Sequence, residues 1–156
     1  MTGKSLHLIF VGKLKQRFLQ TGCDLYLERL GHWRKIHLDE VRDAAKETSQ
    51  ARNLEEGRQL LKALAPQDLP IVLDERGEQM SSQDLANLLK RIDDNNLDCP
   101  CFLIGGPFGL SQEVRARAWK LLSLSSMTLP HELARLILLE QLYRAESILH
   151  RVPYHH

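Results

Sequence analysis

The sequence predicts an α/β fold, a three-layer sandwich around a mostly parallel sheet, and three observations carry that reading. Short apolar runs such as "SLHLIFVG" (5–12) and "CPCFLIGG" (99–106) end in glycine and read as buried strands. The segments between such runs place leucines at helical spacing. Strand-like and helix-like segments alternate along the chain, the order that produces parallel strands with helices on both faces. With 156 residues, 43% hydrophobic and 26% charged, the chain reads as one soluble domain (1–156) with a sizeable core.

Each element follows from local chemistry. After the first strand, residues 16–30 carry Phe18, Leu19, Leu25, Leu27 and Leu30 on a rough helical face that Gly31 ends. "HWRKIHLDEV" (32–41) alternates enough for a second strand. Polar residues 42–50 form a loop into a helix with Leu54, Leu61 and Leu64 on one side. "LPIVLDERG" (69–77) is a strand leaving through a polar turn. "SSQDLANLLKRIDD" (81–94) is a helix with a serine cap and late basic residues that complement its dipole. "SQEVRARAWKLL" (111–122) follows the next strand as a helix capped by Ser111, and "LSLSSMTL" (122–129) is a small, β-leaning segment. The last helix, 130–150, starts with Pro130 at its first position.

That last helix points Leu133, Leu136, Ile137, Leu138, Leu139, Leu142, Tyr143, Ile148 and Leu149 nearly all round its axis. Such a helix must be covered on more than one side, either as a central core helix or against a second subunit.

Charge and cysteine usage narrow the function classes. A formal net charge of +1 argues neither for nor against a polyanionic partner, so any nucleic-acid surface is a local patch or is built by oligomerisation. Lys13, Lys15 and Arg17, Arg34 and Lys35, and Arg115, Arg117 and Lys120 read as solvated faces before phosphate tracks. An odd count of cysteines and no secretory leader fit reduced thiols in a cytoplasmic protein, and no run approaches a membrane span. Cys99 and Cys101 share one face of a strand with no histidine pair at ligand spacing, and read as packed thiols instead of a zinc site. His131, in the first turn of the last helix, reads as a capping or packing residue. There is no G-x-S-x-G elbow, and no acidic cluster suggests a two-metal centre.

Gly105, Gly106 and Gly109 match neither a dinucleotide fingerprint nor a Walker loop, and no Gly-Lys-Ser/Thr follows. They provide an approachable backbone against which a flat ligand can lie. Such crevices sit beyond the carboxyl ends of strands in open α/β sheets. The plainer reading is a tight strand-to-helix turn capped by Ser111.

Three segments taken together, "VLDERG" (72–77), "LIGGPFGLS" (103–111) and "LSLSSMTLPHELARLILLEQLYRA" (122–145), with the tail "PYHH" (153–156), resemble one family. It is the SPOUT-class rRNA large-subunit methyltransferase family, whose members methylate N3 of a pseudouridine in bacterial 23S rRNA. The resemblance implies a deep C-terminal trefoil knot, over about residues 99–156, whose walls hold S-adenosylmethionine. Carried over by motif, the cofactor positions are Leu73, Gly105, Leu124, Ser125, Ser126, Met127, Thr128 and Leu129. It also implies a homodimer whose sites are completed by the partner, acting on 23S rRNA in the ribosome without metal.

In that frame Tyr154 stacks on a base, His155 positions the base or accepts its N3 proton, and Arg135 or Arg144 stabilises the imide anion or a phosphate. Glu140 and Arg144 have the spacing of a helical ion pair. His156 stands where the family more often has a basic residue, so its phosphate-contacting role is open. Competing readings are a SPOUT enzyme acting on tRNA, a non-catalytic ribosome-binding protein and a plain nucleotide-binding domain. The compact chain, the intact glycines and the missing phosphate-loop lysine weigh against these in turn.

Overall fold

A computed structural model describes residues 4–95 and 98–155. Five strands form one sheet in the order β2-β1-β4-β3-β5: β1 Ser5–Val11, β2 Lys35–Val41, β3 Asp68–Gln79, β4 Cys99–Ile104 and β5 Lys120–Ser123. Every neighbouring pair is parallel. Helices α1 Arg17–Leu30, α3 Ser82–Asp94 and α5 His131–Leu149 pack together on one face, and α2 Ser49–Lys62 and α4 Gln112–Arg117 on the other.

Strand alternation divides the core accordingly. Leu6, Leu8 and Phe10 of β1 join Phe102, Leu88 and Leu138 on the α1/α3/α5 side. Ile9 and Val11 join Leu103, Leu60 and Val114 on the other. Central strands covered on both faces have no polar side to show, which is why β4 is buried throughout.

Helix α5 has no exposed residue from His131 to Leu149. Its apolar sides are covered within the chain by the sheet, by α1 and by α3. Gly22 of α1 permits the close approach, since a Cβ there would meet Leu136 Cδ1 at 2.9 Å. Packing within the chain accounts for most of the apolar pattern, while Leu133 and Ile137 are half-buried and belong to neither core cluster.

The structure departs from the sequence expectation in four places. The helix expected over 111–122 ends at Arg117; Ala118 is extended, the Trp119 N–H donates to Pro70 O at 2.8 Å, and Lys120–Ser123 pair with β3. Pairing with β3 overrides the local helical pattern. The β-leaning segment 122–129 is strand only as far as Ser123. Strand β3 continues through the polar turn to Gln79, with a register break between Leu73 and Glu78. On α2 the buried face is Glu56, Gly57 and Leu60, while Leu54 is exposed.

Candidate active site

The carboxyl ends of β3, β4 and β5 surround a cavity of about 680 Å³, the size of a small-molecule site. One wall is the loop after β4. Its glycines remove side chains where the backbone turns: a Cβ on Gly105 would lie 3.0 Å from Gly109 O, and Gly109 sits at φ +83. The turn is closed by Gly109 N–H donating to Gly106 O at 3.1 Å and by Asn53 Nδ2 donating to Phe108 O at 2.9 Å. Ser111 then caps α4, accepting from Val114 N–H at 3.3 Å.

The opposite wall is the irregular stretch after β5. Its shape comes from its own serines, with Ser123 Oγ donating to Ser125 O and Met127 N–H donating to Ser125 Oγ, both at 2.9 Å. Leu73, Gly105, Leu124, Ser125, Met127, Thr128 and Leu129 line the cavity, and Ser126 of the same loop does not. Met127 is 77% exposed, a flexible apolar side chain at the rim.

Charge around the cavity is uneven. Asp74 lies under the β3 lip, its carboxylate 2.6 Å from Arg115 Nε and 3.0 Å from the Arg76 N–H. Burial alone would raise its pKa, but these bonds outweigh burial and hold it below the ordinary carboxylate value. His131 also lines the cavity, and its ring makes no hydrogen bond to the described residues. Burial holds its pKa below the ordinary imidazole value, with Arg135 adding to this and Glu132 opposing it. From the sequence His131 reads as a capping or packing residue close to the expected site, and the signal that marks it is its place in the first turn of the helix after residues 124–129.

The three other candidates lie outside the cavity lining. Arg135 is 3% exposed. It donates to Glu40 at 2.6 Å and to Gly12 O at 2.9 Å, and lies over the Phe10 ring. It ties α5 to the ends of β1 and β2. Tyr154 donates to Glu140 at 3.1 Å, meets Tyr26 Oη at 3.2 Å and packs edge-on against Tyr143. His155 Nδ1 is 3.4 Å from Arg144 Nη1, and Arg144 pairs with Glu140 at 2.6 Å, the helical ion pair expected from spacing. His156 lies outside the described residues.

Among the basic groups, Arg34 corrects the expectation of a solvated face. It is 4% exposed and bonds Glu146 and Asp93. Arg115 and Lys120 are paired with Asp74 and Glu78. Lys13, Lys15, Arg17, Lys35 and Arg117 are exposed. Cys99 and Cys101 are buried. No helix is long and apolar enough to cross a membrane among the described residues.

A parallel sheet with a glycine-walled cavity at its carboxyl edge is the frame of a methyltransferase of the SPOUT class, and the family model described as "Predicted SPOUT methyltransferase" matches residues 5–155. SPOUT methyltransferases use S-adenosylmethionine, and a bare glycine backbone facing Leu73, Leu124 and Leu129 suits a flat adenine. The chain belongs to the ribosomal RNA large subunit methyltransferase H family. It is 54% identical to the protein of that name from Desulfovibrio desulfuricans, with all of both chains covered. It is 46% identical to the one from Lawsonia intracellularis, again over all of both. Among solved structures, a Bordetella pertussis Tohama I protein described as a probable methyltransferase superposes with a TM-score of 0.57 at 14% identity, covering 92% of this chain and 94% of that one.

Proposed function

We propose that this protein methylates N3 of a pseudouridine in bacterial 23S rRNA, on the assembled ribosome, as a cytoplasmic homodimer. The observation that carries the reading is the cavity walled by the glycine turn and residues 124–129, in a chain matched along its whole length by proteins named ribosomal RNA large subunit methyltransferase H. S-adenosylmethionine supplies an electrophilic methyl group on a sulfonium centre. The side chains of Leu73, Leu124, Met127 and Leu129 sandwich its adenine, and backbone groups of 124–129 and Gly105 read the ring edge.

The rest of the task is alignment and one proton. N3 of the base is an imide N–H and becomes a strong nucleophile on losing that proton. His155 is the proposed acceptor or positioning group, with Tyr154 stacking on the base; neither lines the cavity of its own chain, and in the proposed homodimer both serve the partner's. Arg135 acts as a positioning residue, because its guanidinium fixes α5 behind the wall. A second acceptor, His131, is favoured by one observation: it is the imidazole that lines the cavity itself, its pKa held down by burial. Exposed Lys13, Lys15 and Arg17, in the segment bonded to the start of α5 through Lys15 N–H and Glu132 at 2.6 Å, supply phosphate contacts near the mouth.

The test is methyl transfer from labelled cofactor to ribosomes lacking the modification, with tRNA and naked rRNA in parallel. Label mapped by mass spectrometry to N3 of one 23S pseudouridine is the expected result; label on tRNA would overturn the substrate. His155→Ala and His131→Ala separate the two acceptors. The acceptor's loss lowers turnover by about 100-fold and removes the acidic limb of the pH–rate profile with cofactor affinity kept.

A further inference from the structure

At the amino ends of the strands, away from the cofactor cavity, the fold brings together His7, Asp68 and Cys101. Their candidate donor atoms all lie within 4.8 Å of one another. The set is invisible in chain spacing and arises from register: His7 sits opposite Cys101 across β1 and β4, and Asp68 opposite Cys99 across β3 and β4. Alternation puts all four side chains on the face that carries Ile9, Val72 and Leu103. The cluster is buried, with His7 at 7%, Cys101 at 0% and the Asp68 side chain at 1% exposure.

The His7 ring meets a carboxylate at each nitrogen, Asp39 at Nε2 and Asp68 at Nδ1, both at 2.7 Å. A neutral imidazole has a single N–H, so one of these contacts needs a further cation, either a second ring proton or a metal ion. Asp39 holding Nε2–H is the arrangement that orients a metal-ligating histidine, leaving Nδ1 to face the metal. We propose that His7 Nδ1, the Asp68 carboxylate and the Cys101 thiolate form a site for a thiophilic divalent cation of the zinc type, cross-linking the three central strands.

Proton balance suits that exchange. Binding releases the Nδ1 proton of His7 and the thiol proton of Cys101, so two protons leave as one dication enters. The net charge of the cluster is unchanged, and no uncompensated charge is buried. Mixed sulfur, nitrogen and oxygen donors suit zinc, whereas magnesium and calcium demand oxygen. Cys99, on the same strand face, lies outside the group, and its thiol donates to Pro100 O at 3.7 Å. Roughly 10 Å of strand separates Cys101 from Ile104 at the cavity, so this site and the methyl-transfer reading stand or fall separately.

The test uses the full chain, stripped with a chelator and titrated with zinc, and with cobalt(II) as an optical probe. The expected result is one equivalent bound, with thiolate-to-cobalt absorption, and loss of both in Cys101→Ser and His7→Gln. Cys23→Ser, altering a buried thiol on the other face, keeps both. Asp39→Asn, on the exposed edge strand and outside the ligand set, weakens zinc about tenfold. Circular dichroism and cofactor affinity check that each variant folds. Absence of stoichiometric binding, or binding that survives both Cys101→Ser and His7→Gln, overturns the site. Should those two variants fail to fold, unchanged zinc affinity in Asp39→Asn overturns it.

Discussion

The two ends of this sheet are built by opposite means. At the carboxyl end the chain leaves side chains out: Gly105, Gly106 and Gly109 bare the backbone, and β3 breaks register so that Leu73 and Asp74 lean over a cavity. At the amino end it brings charged side chains together in pairs. Arg34 bonds Glu146, Asp93 and the carbonyl of Ser5, and His7 bridges Asp39 and Asp68. Binding capacity here comes from subtraction, and closure comes from charges that satisfy one another. A Cβ added at the open end should therefore act mainly on binding, and a charge removed at the closed end mainly on stability.

The largest effect belongs to the closed end. Arg34→Ala strips Glu146, whose side chain is 3% exposed, of its buried partner and leaves it only the half-exposed His150 at 3.3 Å; breaking such a buried pair costs about 3–5 kcal/mol. Denaturant unfolding should show that loss, while cofactor affinity of the remaining folded protein stays within about twofold. A collapse of affinity in the folded fraction would show that the two ends are not separable.

Next comes Gly77→Ala, which couples stability to binding. A Cβ there would sit 2.7 Å from the backbone of Leu121 and Leu122, where nothing flexible can yield. The overpacking costs about 1–3 kcal/mol and displaces β5, which leads into the Leu124 wall, so cofactor binding falls as well. Gly105→Ala is the sharper probe of the open end. Its Cβ meets the Leu110 side chain at 2.9 Å and Gly109 O at 3.0 Å, so the loop shifts by a few tenths of an ångström. Calorimetry should show affinity for S-adenosylmethionine down about tenfold, or 1.4 kcal/mol, with smaller loss of stability. If stability fell and affinity did not, the glycines would be serving only the turn.

These ends were unequally legible in the sequence. The open end announced itself, because glycines after an apolar strand and a serine before a helix are local signals; the turn and the capped helix are both there. The second wall, 124–129, was found through family resemblance, since an irregular loop has no period to read. The closed end was almost silent. Arg34 reads like any surface arginine beside Lys35, and only the packing of α5 against α1 and α3 brings Glu146, 112 positions away, to its guanidinium. The helix predicted through Leu122 failed for the same reason, since pairing with β3 decides residues 120–123. Tyr154 and His155 read as site residues in the sequence, and within one chain they fold back on α1 and α5 beside Arg144 and Glu140.

The smallest effect separates the ends by the sign of their histidine titrations. Burial would depress His7, but its hydrogen bonds to the carboxylates of Asp39 and Asp68 outweigh it and raise the ring above its ordinary value near 6.5. Its native state therefore holds the proton longer than the unfolded chain. The resulting stability is complete below about pH 6.5 and is lost as pH rises through the folded value. His131 is shifted the other way by burial and Arg135, so its contribution is complete above about pH 6.5 and is lost as pH falls. With chelator present to keep metal out, the stability difference between wild type and His7→Gln should shrink from pH 6 to pH 9, a range bracketing the imidazole value. The difference between wild type and His131→Gln should instead turn against the wild type below about pH 6. Parallel curves for the two variants would mean that both rings sit in equivalent surroundings, and the contrast between a charged, closed end and a neutral, open one would not survive.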